Sequence, residues 1–218
     1  MPRPKVSAGP SLATGWTSGS EWLDLGLAGE WGDRRLAELL EQLNRCAAPG
    51  LRFLAAGVLP EKSPSLSASV ERSAYRATFP EPPFEPAFAE RDAGCRAFLS
   101  RDAVPFVRER GGNKRTVDLR PLVYDLAALD ASTVALEVRT ASDGSAKPTE
   151  ILDAAFGVPR HLLPLINIHK TATRLAGGLS PLARCVVAVG ESSVETGDSD
   201  QWEPAGDPRG DSGGRHPC

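Results

Sequence analysis

Thr133–Phe156, TVALEVRTASDGSAKPTEILDAAF, decides how the second half of the chain folds. Thr133–Thr140 alternates, with Val134, Leu136 and Val138 on one side and Glu137 and Arg139 on the other, the period of a strand with one buried face. Ser142-Asp143-Gly144 reads as a turn. Pro148 then suits the first turn of a helix, PTEILDAAF, because its missing N–H would have no partner there, and Gly157 can end that helix.

Working outward, Leu165–Leu175 reads as a closing strand with Ile166 and Ile168 on one face, Lys170 a candidate for the same face, and a polar opposite face. Upstream, Arg115–Leu119 alternates as a strand, with Val117 and Leu119 inward and Asp118 and Arg120 outward. Phe88–Val107 carries apolar residues at mixed spacing. Phe88, Phe98, Leu99 and Phe106 could line one helical face, against which Gly94 and Pro105 argue. Ser73–Phe79 alternates Tyr75, Ala77 and Phe79 with Arg76 and Thr78, a further strand, and Glu81–Pro86 is too proline-rich for regular structure. The order is strand, helix, strand, strand, helix, strand, which is ferredoxin-like.

The first half reads as the same unit without its opening strand and helix. Lys5–Thr14 is extended, and Glu21–Leu27 sets Leu23, Leu25 and Leu27 against Trp22, Asp24 and Gly26 as a half-buried strand does. Asp33 is a candidate cap for a helix carrying Leu36, Leu39, Leu40 and Leu43, which Pro49-Gly50 ends; Leu51–Leu59 follows as a strand. The expected fold is α+β, two tandem ferredoxin-like units with the first one incomplete. Residues 1–66 form the first unit, 67–176 the second, and 177–218 a tail.

Charge separates that tail from the rest. From Gly190 onward seven acids face two bases, a balance of −5, so within a chain of net charge −3 residues 1–189 carry +2. With Trp202 as its only large apolar side chain, the tail cannot offset the entropy of ordering and is expected to be disordered. No run approaches the roughly 18 apolar residues that a membrane helix needs, and MPRPKVSAGP has no signal-peptide core, so a cytoplasmic protein with no membrane partner is expected. Cys46, Cys95, Cys185 and Cys218 are isolated, which argues against zinc, an iron–sulfur cluster or any other cofactor held by thiolates.

The binding candidates lie in Arg108–Val123, RERGGNKRTVDLRPLV. Arg108, Arg110, Lys114 and Arg115 flank Gly111-Gly112, where a loop could bring four cations and free backbone N–H groups to phosphate oxygens. The plain alternative is a solvated connection kept soluble by its charges. Asp118 and Arg120 are either a surface ion pair or a carboxylate orienting a guanidinium toward an anionic ligand. His169 beside Lys170 and Arg174 reads first as an ordinary strand histidine, and Trp16, Trp22 and Trp31 as core rather than a stacking platform. Nothing pairs a nucleophile with a base, so no catalytic residues are expected.

Several segments, PRPKVSAGPSLATGW, SEWLDLGL, AAPGLRFLAAGVLP, SAYRATF, VDLRPLV and LEVRTASDGSAKPTEILDAAFG, resemble in order and spacing the radical SAM-linked (radical SAM-associated) domain-of-unknown-function family, from Pro2 to about Leu175. The resemblance implies a companion module fused to, or encoded beside, a radical SAM protein, with RNA as a second candidate partner. It also implies an opening strand and helix with a Ser-His-Leu-Asp segment, for which Met1 directly before Pro2 leaves no room. Two functions stay open: a non-catalytic accessory module that binds RNA or its phosphates, and a docking module for the radical SAM enzyme with no nucleic-acid contact.

Overall fold

Alternation in the sequence becomes sheet in the computed structural model, which describes residues 5–60, 62–85, 87–141, 144–178 and 187–188. In chain order the elements are β1 (Lys5–Ala8), β2 (Thr17–Ser18), β3 (Leu23–Gly26), α1 (Asp33–Cys46), β4 (Ala55–Ala56), α2 (Leu66–Ser69), β5 (Val70–Thr78) and α3 (Phe88–Leu99). They continue with β6 (Pro105–Arg110), β7 (Asn113–Asp118), β8 (Val123–Ala128), β9 (Thr133–Ala141), β10 (Gly144–Ser145), α4 (Pro148–Phe156), β11 (Asn167–Leu175) and β12 (Val187–Ala188). The fold is mixed α+β, with several sheets and four α-helices among the described residues. The acidic stretch beyond Gly190, expected as a disordered tail, lies outside them.

The main sheet runs β8–β9–β5–β11 with every neighbour antiparallel; β10 extends β9, and β2 joins β11 in parallel. Period-two alternation puts Tyr75 and Ala77 of β5, Val134, Leu136 and Val138 of β9 and Ile168 of β11 on one face. Cys95 and Phe98 of α3 and Ile151 and Leu152 of α4 complete that core. Leu119, Leu136, Ile151 and Leu152 are fully buried, and each such side chain contributes roughly 1.5–3 kcal/mol over its exposed state. The two helices meet at Gly94, where an added Cβ would stand 2.7 Å from the Phe156 ring.

Two elements depart from the sequence reading here. Phe88–Val107 is not one helix: α3 stops at Leu99, Phe88 is exposed, and Phe106 packs against the core from β6. Proline fits β6 because it is the first residue of a strand, where no ladder N–H is lost. Arg115–Leu119 belongs to β7, which pairs with β6 as a separate hairpin, while the strand beside β9 is Val123–Ala128.

Residues 5–60 are assembled differently. β1 and β3 form a two-stranded ladder of their own, α1 buries only Leu36 and Leu40, and β4 pairs with β12. Gly32, not Asp33, occupies the cap position of α1, and Asp33 sits in the first turn, where its charge still opposes the helix dipole favourably. Within Leu51–Leu59 only Ala55–Ala56 is strand, since Asn44 ties the preceding segment down through both Phe53 backbone groups at 2.8 and 2.9 Å.

The alternation in Glu21–Leu27 becomes β3, Leu23–Gly26. Trp22 packs on Leu66, Val70 and Leu175, and Asp24 Oδ2 accepts the Leu66 N–H at 3.1 Å, so the mixed face points inward. Leu23 and Leu27 are exposed. Register places Val6 opposite Leu25 and Ala8 opposite Leu23, so the ladder turns an apolar face to solvent.

The first third is nevertheless sewn into the main sheet. Trp16 stacks edge-on against Tyr75 with centroids 5.8 Å apart, and Thr17–Ser18 pairs with His169–Lys170. Lys170, buried as the core-face reading allowed, reaches Glu21 at 3.0 Å.

Candidate functional site

A two-residue turn with both glycines at positive φ, 57° at Gly111 and 81° at Gly112, closes the β6–β7 hairpin, which is why glycines stand there. The flanking cations do not act together. Arg108 forks onto Glu150, Nε to Oε1 at 2.8 Å and Nη2 to Oε2 at 2.6 Å, and Nη2 also donates to the Ser145 carbonyl at 2.6 Å. Glu150 Oε2 in turn accepts the Lys147 N–H at the start of α4, so Arg108 pins the hairpin to that helix. Lys114 and Arg115 are exposed, Lys114 lying 3.9 Å from Glu109. The Arg110 side chain lies outside the described residues.

Asp118 and Arg120 are not an orienting pair. Asp118 Oδ1 accepts two backbone N–H groups, Val104 at 2.7 Å and Arg120 at 3.0 Å. The Arg120 guanidinium donates to the carbonyls of Leu99 at 3.0 Å and Val123 at 3.1 Å. Both side chains satisfy backbone groups where α3, the hairpin and β8 converge, a structural use that sequence spacing does not distinguish from a ligand site.

A second arrangement lies on the sheet face opposite the helices. Register sets Arg72 of β5 beside Arg139 of β9 and Arg174 of β11, three arginines abreast in one row across the sheet. The next row holds Glu137, Ala74 and Ala172, and the one after it Ala135, Arg76 and His169. Arg174 Nε lies 3.0 Å from Oε1 of the buried Glu137, close but without hydrogen-bond alignment. Arg72 lies over the Tyr124 ring at 3.8 Å and contacts Glu71 at 3.4 Å. Tyr124 donates to Glu71 at 3.2 Å. Burial and then the neighbouring Arg76 lower the His169 pKa, and the Nδ1 of that ring lies 2.8 Å from Thr17 Oγ1.

Sequence reading set His169 beside Arg174 and Glu137 with Arg139, each pair within its own strand, and noted Arg76 separately, without joining the strands. Alternation gives the face of each strand, but the row exists only once register is known, and β11 is irregular at Lys170/Ala172 and again at Arg174/Leu175.

Burial, helped by Asp92 and Asp125, pushes the Cys95 thiol up to about 11, which makes it a poor nucleophile. Burial also raises the Asp125 carboxyl. Among the described residues no three His, Cys, Asp or Glu side chains are grouped as metal ligands, and no helix is long and apolar enough to cross a membrane.

No curated protein and no solved structure matches the chain. Residues 1–148 match the family described as "uncharacterized protein conserved in bacteria (DUF2344)", which spans β1 to the first turn of α4 and so includes the exposed ladder, the hairpin and two of the three strands bearing the arginine row. The chain belongs to that bacterial family.

Proposed function

We propose that this chain is a non-catalytic accessory module that docks onto a radical SAM protein through its N-terminal half. The observation that carries the reading is the exposed apolar surface of residues 5–60. Val6 is 60% exposed, Leu23 and Leu27 are each 41%, and Leu51, Leu54, Val58 and Leu59 are exposed as well, while only Leu36 and Leu40 of that half are buried hydrophobics. A two-stranded ladder is marginal alone, and apolar side chains gathered on the surface of one region in this way suit a protein interface. The C-terminal half supports the finer architecture: its order β5–α3–β8–β9–α4–β11 and spatial order β8–β9–β5–β11 are those of a ferredoxin-like unit, with the β6–β7 hairpin inserted before its second strand. Such a unit is a rigid body to carry a docking face.

The test is co-purification of the full chain with the radical SAM proteins of its host. Val6→Glu with Leu23→Glu should abolish the complex while leaving the melting curve of the free chain unchanged. Retained co-purification by a folded double variant would sink the reading.

A second reading, in which the module binds RNA, keeps Lys114 and Arg115 as exposed cations beside the Gly111-Gly112 turn. It requires Lys114→Ala with Arg115→Ala to weaken binding of labelled RNA and to lower its salt dependence.

A further inference from the structure

We infer that the sheet face opposite the helices is a phosphate-binding surface, in which Arg72, Arg76 and Arg174 receive a phosphate group of a polynucleotide strand or of a smaller phosphorylated ligand. This site is separate from both the docking face and the hairpin, and it does not depend on either.

The argument starts from register. Like charges directly opposite one another on adjacent strands destabilise a sheet. Here Arg72 has arginine neighbours on both sides, Arg139 on β9 and Arg174 on β11. Arg72 and Arg174 each have a carboxylate neighbour that is shared or misaligned. Glu137 lies in the adjacent row with Arg174 as its close contact, and Glu71 meets Arg72 only at 3.4 Å while also accepting from Tyr124 and from the Gly177 N–H at 3.3 Å. Arg76 has no carboxylate partner among the described residues. Its cross-strand neighbours are Ala135 and His169, and His169 is held toward its neutral form.

The guanidinium groups also remain within reach of a ligand. Between the arginine row and the Arg76–His169 row lie the small side chains Ala74 and Ala172, with the buried Glu137 continuing that row on β9. The side chains of Arg72 and Arg174 keep 27% and 30% of their surface exposed, so their planes are held by the sheet but remain reachable. The Tyr124 ring stacks under Arg72 and fixes the orientation of that plane. Guanidinium planes fixed in this way suit the oxygens of a phosphate, which they grip in pairs, and the immobilisation is complete before the ligand arrives.

The experiment uses the full chain, a fluorescein-labelled single-stranded oligouridylate in a salt series, and inorganic phosphate as competitor. The expected result is binding at low salt whose affinity falls about tenfold or more in Arg72→Gln with Arg76→Gln, with a salt slope reduced by roughly 1–2. Lys114→Ala with Arg115→Ala should leave it within about twofold. Because Arg72 packs on Tyr124, the melting curve of the double variant is recorded, and Arg76→Gln alone, which breaks no ion pair, should still lower affinity by a factor of about 3. A readout needing no variant is the His169 ring resonance. An anion settling beside Arg76 should raise its pKa, either with the oligonucleotide, marking a polynucleotide site, or with inorganic phosphate alone, marking a smaller ligand. No binding by either probe, an unmoved His169, or loss of binding only in the Lys114/Arg115 variant would each overturn the inference.

Discussion

Residues 5–60 and residues 66–178 are built from the same kinds of amino acid and reach different states. In the second region, strands alternate, helices present leucine, isoleucine and phenylalanine, and those side chains meet in one core between sheet and helices. In the first, Leu23, Leu25 and Leu27 alternate as regularly as Val134, Leu136 and Val138, yet Leu23 and Leu27 are exposed and Leu25 is only half-buried. The difference is a matter of layers. A strand with one apolar face needs a second layer, and α3 and α4 supply it downstream. Upstream, α1 buries two leucines and packs against β4 and β12, and the β1–β3 ladder meets Leu66, Val70 and Leu175 through Trp22, while its other face stays uncovered.

The comparison breaks most readily in the cores. Leu136→Ala and Ile151→Ala remove fully buried side chains, and each should lower the unfolding free energy in urea by about 2–5 kcal/mol. Leu23→Ala and Leu54→Ala, the same chemistry in the first region, should stay within about 0.5 kcal/mol in the isolated chain. If the two pairs cost alike, the first region has a core of its own and the docking reading loses its basis.

A smaller effect tests the seam between the regions. Lys170 is 2% exposed, and its ammonium meets Glu21, which also accepts from Ser18 at 2.9 Å. Glu21→Gln leaves a buried cation without its counter-charge and should cost about 1–3 kcal/mol, less than a fully buried pair because Glu21 itself is 42% exposed. Lys170→Met restores apolar character at that position, so Glu21→Gln in that background should cost much less. Equal costs in both backgrounds would show that the pair does not couple the N-terminal segment to the sheet.

What the sequence made legible follows the same division. Where a strand alternates and its inward face finds a second layer, as in Thr133–Thr140 and Ser73–Phe79, period alone placed the element and its buried side. In Glu21–Leu27 alternation identified a strand without deciding which face turns inward, because period two carries no information about which side the rest of the chain occupies. The hairpin escaped for another reason: β6 carries Pro105 and mixed charges, and reads as the end of a helix until its pairing with β7 is known. Among the binding candidates, Arg108, Asp118 and Arg120 attracted notice as charged residues beside a glycine turn, and the structure gives each an intramolecular partner. The arginine row drew no notice as a unit, since it joins residues from three strands far apart in sequence.

The smallest effect lies at the same seam, at His169. Its ring contacts Thr17 of β2 and faces Arg76 of β5, and burial together with that guanidinium lowers its pKa below the ordinary 6.5. In the unfolded chain the ring takes up its proton near the ordinary value, whereas the folded chain resists until lower pH. The unfolded state therefore binds more protons between the two values, and stability falls as pH drops through about 6.5 and stops falling once the folded ring is protonated too. Above that window the contribution is fully present. The ring is largely open to solvent, so the effect on unfolding is slight, and the direct check is a titration of the histidine ring protons by NMR. His169 should titrate lower in the folded chain than in the urea-unfolded one, and Arg76→Gln should move it part of the way back, because burial, the larger cause, remains. If His169 titrates alike in the folded and unfolded chain, the N-terminal strand does not shield the ring, and the parallel pairing of Thr17–Ser18 with His169–Lys170 does not close the sheet edge in solution.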